Sequence, residues 1–280
     1  MLIARLATAA IGIPVLLVVV WLGGPVFCLL VALAAAIAAS EACALLGVFN
    51  AGYRASAVLG AAVLVLAAAS SLEAALAALT AILGSLLLWS LRDAPGTAPV
   101  LPGALAACLY GGLPLALLVI MRSWAGPSVT LLPGANSLVL EWGAGWVLLV
   151  LTITWAADSA AYIVGRAVGR HLFVPRLSPK KTWEGTGAGL LAGTLVALAW
   201  AQPLGWTAIA ALILGVLAAA GSIAGDLAES ALKRAAGAKD AGQLLPGHGG
   251  LLDRIDSLAF SASVVFLTGS LDRTVHFLHG

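Results

Sequence analysis

The chain has 280 residues, 62% of them hydrophobic and 9% charged, with a formal net charge of +2 and a mean hydropathy of +1.08. So little charge cannot clothe a water-soluble globule, and the apolar residues run in blocks long enough to cross a bilayer. Composition therefore excludes a soluble enzyme, and no nucleic-acid partner is expected.

Candidate spans, each an apolar stretch of roughly 17 to 25 residues, fall at 5–23, 25–48, 54–70, 73–91, 99–121, 143–165, 185–201, 204–228 and 251–271. The apolar residues run continuously instead of alternating, which predicts helices and not a barrel. The expected fold is all-α: a polytopic integral membrane helical bundle of about nine transmembrane helices. Pro14, Pro102 and Pro114 are expected to kink their helices or mark first turns. "AALAALTAILGS" and "AAAGSIAGD" offer small residues at i, i+4 for close helix packing. Trp21, Trp89, Trp142, Trp200 and Trp206 lie near span ends, as interfacial anchors would. The first apolar run has no A-x-A site before "WLGGP" and reads as an uncleaved helix. Cys28, Cys43 and Cys108 are odd in number, lack ligand spacing and read as packing residues.

Orientation follows from Lys and Arg. With a cytoplasmic amino terminus and nine alternating spans, only Arg122 and Arg273 of the 14 basic residues fall outside. Charge is sparse before Asp158 and dense after it: nine of the 14 basic and seven of the 12 acidic residues lie between Asp158 and Asp256. Residues 1–142 are therefore expected to be transmembrane scaffold and 143–280 the catalytic transmembrane domain, the two forming one integral unit. The polar segments 166–184 and 234–250 fall on the cytoplasmic side in this topology. The 122–142 loop is assigned no role, Glu41 and Glu73 read as span-end or intrahelical polar residues, and His171, His276 and His279 as solvated positions.

In "GDLAESALKR", Asp226, Glu229, Ser230 and Lys233 recur at i, i+3, i+4 and i+7 and form one helical stripe. An Asp at the centre of a membrane helix costs about 2.5–3.5 kcal/mol on the insertion scale, so the stripe should face water, a cation or a partner charge. In "HGGLLDRIDS", Asp253 and Asp256 give the next helix an acidic patch near its start. Carboxylates without thiolates suit a hard cation such as Mg2+. Lys233, Arg234, Lys239 and Arg254 beside them are what a polyphosphate requires, and the glycines of "GHGG" would let backbone N–H groups approach an anion at a helix start. A second cluster, "SPKKTWEG", places Ser178, Lys180 and Lys181 before a span; upstream, "DSAAYIVGRAVGR" puts Asp158 and Tyr162 at i, i+4 with Gly165 and Gly169 on the same face. The plain alternatives are an ordinary positive loop for the lysines, a structural ion pair for Asp226, and a helix-packing hydrogen bond for Asp158 and Tyr162.

The stretch "SALKRAAGAKDAGQLLPGHGGLLDRID", 230–256, resembles the signature of the phosphatidate cytidylyltransferase (CDP-diacylglycerol synthase) family, and "SPKKTWEG" and "GD...ES" are similar to the same family's pattern. The resemblance is specific over 158–256 and general before it; Ser159 stands where Thr is expected. It implies transfer of CMP from CTP to phosphatidate, with Asp226 and Asp253 as principal metal ligands and Asp256 close by. It also implies a homodimer in the inner (cytoplasmic) membrane. The expected catalytic set is Asp226, Asp253, Lys233, Arg254 and His248, with His248 either donating to a phosphate or acting as an acid. The expected substrate-binding set is Ser178, Lys180, Lys181, Arg234, Lys239, Gly249, Gly250, Asp158, Tyr162 and Ser230, the basic members contacting phosphates collectively. The cofactor is Mg2+, as one or two ions, with a monovalent cation left open. The closest rival is a CTP-dependent lipid kinase of dolichol-kinase type. A cation-coupled transporter should show inverted repeats, which are absent from this sequence.

Overall fold

The computed structural model describes residues 2–91, 100–131, 138–244 and 249–279, with side chains described between 10 and 271. His248 lies outside the described residues, as do the side chains of Arg5, Arg92, Arg273, His276 and His279.

Among the described residues nine helices form: α1 (Leu2–Leu22), α2 (Gly24–Leu45), α3 (Ala51–Ala68), α4 (Leu72–Ser90), α5 (Val100–Arg122), α6 (Trp142–Val168), α7 (Trp183–Ala201), α8 (Ala208–Ala235) and α9 (Leu252–His279). They coincide with the nine apolar stretches, so the fold is an all-α, polytopic membrane bundle. Six of them, α2 to α6 and α8, are long and apolar enough to cross a membrane by length and composition. Helix α9 opens on Asp253, Arg254 and Asp256, and α8 runs past its apolar part to Lys233 and Arg234. Periodicity could not see the two short antiparallel pairs: β1 (Val129–Thr130) with β2 (Val139–Leu140), and β3 (Leu172–Val174) with β4 (Ser178–Thr182).

The chain divides into two compact units, one of Met1–Ser123 with Leu232–Ile255 and one of Trp124–Ala231 with Asp256–Gly280. In the first, α2, α3 and α5 pack on one another, with α4 against α3 and α5. Close approach depends on glycine: a Cβ on Gly111 would lie 2.5 Å from the Ala39 nitrogen, and one on Gly112 would lie 2.9 Å from the Ala61 Cα. Asn50 caps α3 through the Gly52 N–H at 3.0 Å, and Ser71 caps α4 through the Ala74 N–H at 3.1 Å. Arg122 is buried; its Nε donates to the Val20 carbonyl at 2.8 Å and its Nη2 to the Trp21 carbonyl at 3.2 Å. A residue expected to have no role therefore satisfies the terminal carbonyls of α1.

In the second unit α6 packs along α7, where a Cβ on Gly185 would lie 2.6 Å from the Ala161 carbonyl and one on Gly189 would lie 2.9 Å from that of Ala157. Thr182 caps α7 through the Gly185 N–H at 3.2 Å. Trp142 and Trp206 stack edge-on against fully buried Trp146, and Trp200 is buried with its Nε1 donating to Thr152 Oγ1 at 3.1 Å. Of the tryptophans expected as interfacial anchors, Trp200 is buried, Trp142 and Trp206 are half-buried against Trp146, and Trp21 is 62% exposed.

The small stripe of "AAAGSIAGD" does what its spacing predicts. A Cβ on Gly221 would lie 3.2 Å from the Phe260 carbonyl, and one on Gly225 would collide with that of Asp256. Gly225→Ala is accordingly expected to destabilise the protein by about 1–3 kcal/mol through overpacking. Thermal unfolding in detergent would check this, and an unchanged midpoint would show that α8 and α9 do not meet as closely as described.

Candidate active site

In the second unit three helices and one strand bring polar groups together. Asp158 projects from α6, where Ser222 Oγ on α8 donates to its Oδ1 at 3.5 Å and Ser257 Oγ on α9 donates to the same oxygen at 3.4 Å. Ser222 and Ser257 are buried, so their hydroxyls need an acceptor, and Asp158, itself exposed, supplies it. One turn into the polar part of α8, Asp226 receives the Lys181 ammonium of β4 at 2.5 Å on Oδ2, and the Ser230 hydroxyl donates to Oδ1 at 3.4 Å. The pair is partly open, with side-chain exposures of 24% for Lys181 and 33% for Asp226. Asp256 accepts from the Ser257 N–H at 2.6 Å, and Asp158 lies within electrostatic range of Asp256, Asp226 and Lys181. Glu229, from the same stripe as Asp226, is fully buried.

The alternation of a strand separates the two lysines of "SPKK". Lys181 turns inward to Asp226 while Lys180 is exposed. The β3–β4 pair that sets this register is tied to the start of α7: the Trp183 N–H donates to the His171 carbonyl at 2.9 Å, and His171 Nδ1 meets Glu184 Oε1 at 2.6 Å. His171 is solvated as expected, yet its ring holds the hairpin to the helix. Tyr162, expected beside Asp158, is 65% exposed and accepts from Arg166 Nη1 at 2.9 Å, so the structure does not bring it to the cluster. Gly165 and Gly169 instead admit Thr182 of β4.

In the first unit Asp253 is enclosed. Its Oδ1 takes the Lys233 ammonium at 2.7 Å, and its Oδ2 accepts from the Ala241 N–H at 2.9 Å and the Gly250 N–H at 2.8 Å. Its side chain is 5% exposed and that of Lys233 15%. Gly249 has φ +83, and a Cβ there would lie 2.7 Å from Asp253 Oδ2, so the glycine is needed both for the backbone and for the approach. The N–H groups of Gly250, Leu251 and Leu252 are taken by protein carboxylates, the last two by Glu41. The helix start expected to receive a phosphate through Gly249 and Gly250 therefore already holds an anion from the chain itself. Arg234, Lys239 and Arg254 are exposed, and Ser178 is partly exposed at the head of β4.

Metal binding can be judged from these groups. Among the described residues no three His, Cys, Asp or Glu side chains form a ready-made cage. Mg2+ seldom uses one; it is commonly held by one or two carboxylates together with substrate phosphates and water. In the second unit Asp158 lies within electrostatic range of Asp226, Asp256 and Lys181, and carboxylate oxygens are the donors a hard divalent cation takes. The donor chemistry fits Mg2+.

A sequence model described as the cytidylyltransferase family matches residues 3–271. The chain is 49% identical over 117 residues to the phosphatidate cytidylyltransferase of Brucella suis, covering 40% of this chain and 42% of that protein. It is 47% identical over 110 residues to the enzyme of that name from Synechocystis, covering 38% and 36%, and 44% identical over 108 residues to phosphatidate cytidylyltransferase 5, chloroplastic, of Arabidopsis thaliana, covering 38% and 27%. The matched segments thus span less than half the length of these relatives.

Proposed function

As the chain belongs to the cytidylyltransferase family, we propose that it transfers CMP from CTP to phosphatidate, giving CDP-diacylglycerol and pyrophosphate. The observation that carries this reading is the pairing of Lys181 with Asp226 within electrostatic range of Asp158, a partly open mixture of acid and ammonium that suits a metal-bound polyphosphate. The names of the three relatives support the same substrates.

The reaction asks little of a base. A phosphate monoester is largely ionised near neutral pH, so an oxygen of phosphatidate attacks the α-phosphorus directly, the bond to the bridging oxygen breaks, and pyrophosphate leaves. The difficulty is bringing two polyanions together. Mg2+, when bound, supplies neutralisation of the triphosphate, and Asp226 and Asp256 are the residues that would hold it. Asp253, expected with Asp226 as a principal metal ligand, has its oxygens engaged by Lys233 and two N–H groups; it stays in the proposed catalytic set as the acid that holds the Lys233 ammonium. Lys181 and exposed Lys180 offer charge to the phosphates. The protein is read as a homodimer in the inner (cytoplasmic) membrane. Its amino terminus and the 166–184 and 234–250 segments are read as cytoplasmic, from the distribution of Lys and Arg.

Purified protein given CTP, phosphatidate and Mg2+ should form a CMP-bearing lipid and pyrophosphate. Release of CDP with a phosphorylated alcohol would instead establish the kinase. The two lysines should separate kinetically. Lys181→Ala is expected to lower kcat by about tenfold or more, and Lys180→Ala to act mainly by raising the KM for CTP. Equal effects on both parameters would contradict the division that β4 imposes.

A further inference from the structure

Glu41 sits on α2, some 210 residues from the signature loop, and the reaction outlined above makes no use of it. Its Oε1 accepts from the Leu251 N–H at 3.1 Å and its Oε2 from the Leu252 N–H at 2.7 Å. These are the first donors of α9, and the residue just ahead of that helix, Leu251, has no side-chain acceptor to cap them. A carboxylate from another helix does the capping instead. Two glycines make room for it: a Cβ on Gly250 would lie 2.5 Å from Glu41 Oε2, and one on Gly242 would collide with Oε1. The peptide units that Glu41 grips immediately precede Asp253, whose own Oδ2 binds the neighbouring Gly250 N–H at 2.8 Å.

We propose that Glu41 is a positioning residue: it clamps the start of α9 and so fixes the backbone from which Asp253 projects. What Asp253 is positioned for rests on the function proposed above.

The test compares full-length wild type, Glu41→Gln and Glu41→Asp in detergent, by amide hydrogen exchange and by steady-state kinetics. Glu41→Gln preserves size and removes the charge. It should speed exchange at Leu251 and Leu252 by roughly tenfold, leaving the other helices unchanged. It should lower kcat by about tenfold with the KM for CTP altered less than about threefold, and Glu41→Asp should restore part of both effects. Unaltered exchange at these amides would overturn the clamp, and faster exchange with wild-type kcat would overturn the positioning role. If wild type itself makes no CDP-diacylglycerol, the functional reading falls, and the exchange data alone decide the clamp.

Discussion

Asp226→Asn is expected to lower CMP transfer by at least about 10²–10³-fold while leaving the protein folded, a loss of the size seen when one charge-stabilising group is removed from an active site. Its side chain is 33% exposed, and its contacts are Lys181 at 2.5 Å and Ser230 at 3.4 Å. Asparagine keeps the shape and the acceptor for Ser230 and removes the charge. A partly exposed ion pair contributes on the order of 0–1 kcal/mol to stability, so the melting temperature in detergent should scarcely move. The effect falls on chemistry because the lost charge is the one that Lys181 and a divalent cation would share. Unchanged turnover by a folded variant would remove Asp226 from the mechanism.

Asp253→Asn is expected to fail differently, losing stability together with activity. Here the acid is 5% exposed, its lysine 15%, and both carboxylate oxygens are engaged. Breaking a buried pair by removing one partner costs about 3–5 kcal/mol, because the other charge is left uncompensated. The melting temperature should drop by several degrees, and adding Lys233→Met should recover part of it, since the stranded ammonium is then gone as well. Stability should recover without turnover, because the double variant lacks both Asp253 and Lys233 of the expected catalytic set. A stability equal to that of wild type in the single variant would show that the enclosure of Asp253 is looser than described.

Much of the fold was legible because a membrane span is a long, one-solvent signal. All nine helices follow apolar stretches, and the stripe of Gly221 and Gly225 packs as its spacing predicts. The candidate site was legible in part. The helical stripe of α8 gave Asp226 and Ser230, and the acids of α9 gave Asp253 and Asp256, since charge within a membrane helix is costly enough to be noticed. What could not be read was pairing across distance. The sequence offers no sign that Lys181 and not Lys180 meets Asp226, because that depends on the register of a five-residue strand. Tyr162 shared a helical face with Asp158 in the linear pattern and yet turns to Arg166. Glu41 reads from sequence as a span-end or intrahelical polar residue; the available signal is a carboxylate inside an apolar helix, matched by a helix start lacking its own cap. Trp142 and Trp206 meet Trp146 edge-on, a contact that spacing along the chain does not show.

CTP labelled at either its α- or its γ-phosphate, offered with phosphatidate and Mg2+ to wild type and to folded Asp226→Asn, shows which phosphorus reaches the lipid and whether Asp226 is needed for its transfer. Wild type should carry the α label into the lipid and leave the γ label in pyrophosphate, and the Asn variant should transfer neither. Appearance of the γ label in lipid, or undiminished α transfer by the variant, would contradict the proposed CMP transfer through Asp226.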